Sequence, residues 1–215
     1  MGNDNQENVN ATSDEKSSTT GSIRVLSLVA VLGVSYFGLT ILLLSLLTTD
    51  YNPISQAASD YGVGRFAIEM NLGFLIGGIG VIAFSSATAM QRTGRRSRAG
   101  AALFFIAGLV LIMDSYFTTN IEGGPSTLHG TIHGFGGLVF FTTSPIGVLL
   151  VSRKFGRRRF LITLAALAIG FTVLLANLNA GGLAERVILL VIFSSIIFIS
   201  SSFSRVSRNG MVRQS

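Results

Sequence analysis

The two histidines of this chain stand four residues apart in T127-L-H-G-T-I-H-G, and two of its few acids, Asp114 and Glu122, lie just upstream. If a helix has begun by Leu128, His129 and His133 share one face with Cβ atoms about 6 Å apart. Two imidazoles so placed can ligate one metal ion. Zinc takes a third protein ligand and a water, or a fourth protein ligand. Asp114 is the best-placed third ligand, with Glu69 and Asp60 as alternatives. A His-His-carboxylate set facing water could activate that water for hydrolysis, with Ser59, Ser115 or Ser126 assisting by hydrogen bonding. The pattern is not the H-E-x-x-H of metalloproteases, because Gly130 follows His129. Two histidines and an aspartate can equally form a polar network tying two helices together, or a site for a proton or small ligand.

The elements that must hold these residues are apolar. Of 215 residues, 49% are hydrophobic and 12% charged, with a mean hydropathy of +0.61. Soluble chains carry about a quarter charged residues, so the composition is that of a polytopic membrane protein. The chain has no cysteine, which excludes disulfides, thiolate metal sites and thiol nucleophiles.

A helix needs roughly 20 mostly apolar residues to cross a bilayer. Six stretches qualify, at about 23–47, 67–90, 99–117, 132–151, 160–177 and 183–203. Unpaired backbone groups are not tolerated in lipid and the runs show no period-two alternation, so they read as helices rather than barrel strands. Residues 1–22 are polar and without apolar periodicity, and read as a disordered cytoplasmic tail. The expected organisation is therefore that tail, an all-α bundle of six transmembrane helices over 23–204, and a basic cytoplasmic tail over 205–215.

Charge orients the bundle. Q91-R-T-G-R-R-S-R, between spans two and three, carries four arginines, and S152-R-K-F-G-R-R-R, between spans four and five, carries five basic residues. Lys16 and Arg24 flank the start of span one, and Arg205, Arg208 and Arg213 follow span six, whereas the other side carries only Arg65 and Arg186. The positive-inside rule places both termini in the cytoplasm of a plasma-membrane protein. Asp50, Asp60, Glu69, Asp114, Glu122 and Glu185 then all lie toward the outer side. The net charge of +6 is explained by topology and anionic lipid, and no nucleic-acid partner is expected because no aromatics are interleaved for base stacking.

Between spans one and two, Asn52 can cap a helix with Pro53 in its first turn and Gly62 as a stop. Ile54, Ala57, Ala58 and Tyr61 recur at helical spacing, which predicts a short amphipathic outer helix over about 53–61. Gly73 and Gly77, and Gly130 and Gly134, have the spacing of close-packed membrane helices. Glu185 and Arg186 open span six, where Arg186 needs Asp114, Glu69 or an anionic headgroup as partner. A shift of 62 residues aligns Asn71 with His133, Arg95-Arg96 with Arg157-Arg158 and Gly108 with Gly170, as a weak internal repeat would.

The stretches I54-S-Q-A-A-S-D-Y-G, M113-D-S-Y-F-T-T-N and T127-L-H-G-T-I-H-G together resemble the domain of unknown function 998 family of prokaryotic six-span integral membrane proteins. The matching motifs are Ser59-Asp60-Tyr61-Gly62, the acid Asp114 and His129. Where that family often has a phenylalanine-proline pair before the acid, this chain has Ile112 and Met113. The resemblance implies an integral membrane protein without an established activity. A more distant similarity is to the membrane hydrolases that include alkaline ceramidases, which use a serine, an aspartate and three histidines. This chain has two histidines and one span fewer.

Residue pattern and resemblance together point to an uncharacterised membrane protein with an acid- and histidine-lined outer pocket, binding a small ligand, ion or lipid headgroup. The candidate binding residues are Asp60, Glu69, Asp114, His129, His133 and Arg186. Alternatives are a metal-dependent hydrolase of a membrane lipid, with zinc held by His129, His133 and Asp114, and a structural or partner-binding subunit. Membrane lipids are the expected partners.

Overall fold

The computed structural model describes residues 3–91, 94–121, 124–176 and 179–212, with side chains described between 18 and 203. Arg92, Glu122, Asn177 and Arg213 lie outside the described residues. Six α-helices are found among the described residues: α1 (Asn3–Leu47), α2 (Ala67–Met90), α3 (Arg95–Asp114), α4 (Leu128–Ser152), α5 (Arg157–Leu175) and α6 (Gly181–Val212). Each contains an apolar stretch long enough to cross a membrane. In α1 that stretch is Ser18–Leu47, and the helical backbone continues N-terminally to Asn3. Among the described residues there is no β-strand.

The helix starts differ from expectation where arginines lead into an apolar run. Helix α3 begins at Arg95 rather than near 99, and α5 at Arg157 rather than near 160. Arginine is a good helix former, and its long stem lets the charged head reach water while the backbone already winds. Helix α4 begins at Leu128 rather than near 132, so both histidines lie on it, and α3 ends at Asp114 rather than near 117.

Helices α1, α2 and α3 pack in sequence, and glycines set how closely. A Cβ at Gly33 would lie 2.7 Å from the Cα of Gly80, and one at Gly78 would lie 2.8 Å from the carbonyl of Gly108. The row at Gly73 and Gly77 receives the Phe37 ring, which in turn packs on Phe74 and Phe193 at centroid distances of 5.0 and 5.5 Å. The small-residue row of α2 is thus an interface, as its spacing indicates. Helix α6 closes the bundle against α1, and α5 rides outside on α6 with little of its surface covered. Gly108 faces α2 whereas its counterpart 62 residues on, Gly170, faces Ile188 of α6. The two hairpins of the internal repeat therefore do not pack alike. Leucines and isoleucines exposed along every span, such as Leu32, Ile79, Leu109, Leu138, Ile169 and Leu190, give the bundle the apolar exterior that lipid requires.

Candidate functional site

The helix ends that carry the acids enclose a cavity of about 260 Å³. Its wall is built from α1 (Phe37, Ile41), α2 (Met70, Phe74), α3 (Leu111, Asp114), α4 (His133, Gly134, Gly137, Phe140, Phe141) and α6 (Glu185, Leu189). The segment Ala57–Asp60 from the α1–α2 connection covers it. Ligand sites run roughly 300–1,000 Å³, so this is a small one. Three carboxylates, one imidazole and four phenylalanines line it, and none of its lining residues is Lys or Arg.

Asp114 is the last residue of α3 and 3% exposed. It fits against α4 because position 136 is glycine: a Cβ there would lie 2.5 Å from the Asp114 Oδ1 atom. One turn into α4, the Nδ1 atom of His133 is 2.8 Å from the carbonyl of Phe117 and 3.5 Å from Oδ1 of Asp114. A carbonyl can only accept, so Nδ1 carries the proton and donates it to Phe117. That bond ties the end of α3 to α4. It leaves Oδ1 of Asp114 buried with no hydrogen-bond partner among the described residues. In the neutral ring the Nε2 atom is then a lone pair. Both groups call for a donor. The α3–α4 connection is held by Asn120, whose Oδ1 accepts from the Thr127 N–H and hydroxyl at 2.8 and 2.9 Å, while the Thr127 hydroxyl oxygen caps α4 by accepting from Gly130 N–H at 3.0 Å.

The covering segment differs from the helix expected over 53–61. Asn52 does cap a turn, its side chain accepting from Ile54 N–H at 3.0 Å and its carbonyl from Gln56 N–H at 2.9 Å. Ala57 is then extended, and a 3-10 turn runs from Ala58 to Gly62. Helix α6 has taken the groups a continuous helix would use. The Ile54 carbonyl accepts from Leu183 N–H at 2.9 Å, the Gln56 carbonyl from Arg186 Nη1 at 2.9 Å, and Ala58 N–H donates to Glu185 Oε2 at 3.1 Å. Gly182 lies directly under the Gln56 carbonyl, where a Cβ has no room. Arg186 therefore fastens this segment instead of meeting Asp114 or Glu69, and it does not line the cavity. Tyr51 packs on Tyr61 at 4.1 Å and beneath the Arg186 guanidinium, and burial raises its phenol well above the usual range.

Of the candidate residues, Asp60, Asp114 and His133 line the cavity, and Asp60 also accepts from Ala57 N–H at 3.1 Å. Glu69 is exposed on the first turn of α2. His129 is exposed and stacks on Tyr116 and Phe117 at 5.7 and 5.1 Å. Of the two histidines only His133 reaches Asp114, and His129 does not line the cavity. Among the described residues no three His, Asp or Glu side chains converge as a metal site would require. Glu185 and Gly136 belong to the site without having been singled out. The glycine spacing around 136 carried that signal, but it reads first as helix packing.

Six apolar helices with an apolar exterior define a multi-pass membrane protein. The family model described as Protein of unknown function (DUF998) matches residues 29–201, and the chain belongs to that family. Neither the comparison with curated proteins nor that with solved structures returned a match.

Proposed function

We propose that the cavity at the acidic end of the bundle binds a small ligand that presents a positive charge or N–H donors on an apolar body. The supporting observation is Oδ1 of Asp114, buried against the cavity without a donor. A buried acceptor left unpaired costs about 1–3 kcal/mol, a cost a bound donor recovers. Asp60 and Glu185 add further carboxyl oxygens, and Phe37, Phe74, Phe140 and Phe141 supply ring faces and edges of the kind that hold organic cations. The protein sits in the plasma membrane with both termini cytoplasmic, so the cavity faces outward, in keeping with the basic residues at the opposite ends of the helices.

Binding is tested with alkylammonium ions and carboxylates of matched size on the protein in nanodiscs. The ammonium series binds, the carboxylates do not, and Asp114→Asn weakens binding about 10- to 100-fold, the worth of a charged hydrogen bond. Equal binding of both series would sink the proposal. Orientation is checked with single cysteines, convenient in a chain that has none. On intact cells an impermeant maleimide labels Ser126→Cys but not Arg98→Cys.

A further inference from the structure

At the end of the bundle opposite the cavity, a groove of about 650 Å³ runs between the end of α2, the start of α3 and the turn after α4. Arg95, Arg96, Ser97, Arg153 and Lys154 line it. Helix α3 begins there after Gly94, which has no side chain to cap the exposed N–H groups, and its first turn contains no acid. The first hydrogen bond of the helix is Arg98 N–H to Gly94 carbonyl at 3.3 Å. The N–H groups of Arg95, Arg96 and Ser97 therefore have no acceptor among the described residues. Arginines on this turn add positive charge to the positive end of the helix dipole, an arrangement that repels itself until an anion is present.

Ser97 supplies a second observation. It is only 8% exposed, it lines the groove, and its hydroxyl has no hydrogen-bond partner among the described residues. Ser86 and Thr88, by contrast, return a bond to the preceding turn, at Ile82 and Phe84. Among the described residues no ion pair joins a carboxylate to any of the four groove cations. Arg153 and Lys154 instead rest over the rings of Phe160 and Phe203 at 4.9 and 6.0 Å.

We infer that this groove is a phosphate-binding site. It offers backbone N–H groups, the Ser97 hydroxyl, guanidinium forks and an ammonium, all able to donate, which suits the several acceptor oxygens of a tetrahedral anion. Because the groove lies where the spans meet water, the phosphate belongs either to a lipid headgroup or to a soluble molecule. The inference is independent of the ligand proposed for the cavity.

The test uses the full chain, delipidated in detergent, with two probes: inorganic phosphate followed by calorimetry, and phosphatidylglycerol against phosphatidylcholine followed by native mass spectrometry. At least one probe binds. Arg96→Gln/Lys154→Gln weakens it about tenfold or more, and Ser97→Ala, which removes one hydroxyl and no charge, weakens it about two- to tenfold. Arg98→Gln, on the same turn but outside the groove, changes affinity less than about twofold. Inorganic phosphate alone assigns a soluble ligand, and phosphatidylglycerol alone assigns the headgroup. Failure of both probes, unchanged affinity in Ser97→Ala, or an equal loss in Arg98→Gln overturns the site in favour of a diffuse basic surface.

Discussion

Replacing Asp114 by asparagine separates a ligand site from a structural network. If the carboxylate were half of a closed network, loss of its charge would cost about 3–5 kcal/mol. In a chain of this size that is a fall of roughly 6–20 °C in melting temperature, at about 2–4 °C per kcal/mol. The geometry argues for the opposite outcome. The His133 Nδ1 proton is committed to the Phe117 carbonyl at 2.8 Å, and Oδ1 of Asp114 has no partner. Asparagine thus exchanges a buried carboxyl with an unpaired oxygen for an amide of the same shape. The ligand-free variant is expected to melt within about 2 °C of the parent or above it. Its affinity for the alkylammonium probe should fall by the factor given above. Because the chain has no tryptophan, unfolding is best followed by far-ultraviolet circular dichroism. A variant that melts more than about 6 °C lower yet still binds the probe would refute the reasoning, because it would make Asp114 a structural group.

Gly136→Ala drives a methyl to 2.5 Å from the Asp114 carboxylate and 2.8 Å from the Met113 Cε. It should cost about 1–3 kcal/mol, and combining it with Asp114→Ala should recover part of that loss in a double-mutant cycle. The two histidines should behave differently: His133→Leu strips the Phe117 carbonyl of its donor and costs about 1–3 kcal/mol, which His133→Asn partly restores. His129→Ala, at an exposed position, should stay within about 0.5 kcal/mol, and equal losses at the two sites would contradict the assignment. Gly182→Ala puts a Cβ against the Gln56 carbonyl and 2.8 Å from that of Pro53, so the covering segment should lift and trypsin should cut faster after exposed Arg65. An unchanged cutting rate would show that the segment does not depend on this contact.

The number of spans was legible because each is a long apolar run, while boundaries shifted by a few residues, both where arginines lead α3 and α5 and at the polar connection between α3 and α4. Asp114 and His133 could be paired from their places near adjoining helix ends. His129 could not be set aside, because residues four apart share a helix face on average while a neighbour such as Gly136 decides which one meets the partner helix. The segment after Asn52 carried helical periodicity, yet its backbone groups were claimed by α6 more than a hundred residues away. Local pattern holds no record of such competition. The partners of Arg186 were not legible for the same reason: they are backbone carbonyls, which every residue has and no sequence distinguishes.

Two of the residues that bound the cavity, Gly134 and Gly137, have nothing within 4 Å of where a side chain would begin. Most internal holes are packing defects, and filling them strengthens a protein. Here part of the space exists because two positions on one helix carry no side chain, so in the proposed ligand site size selectivity would be set by omission. A graded series at Gly137, through alanine to valine, should exclude progressively bulkier ligands while leaving the helix interfaces untouched. The dimensions of the acceptable guest can in that way be changed without altering a single group that recognises its charge.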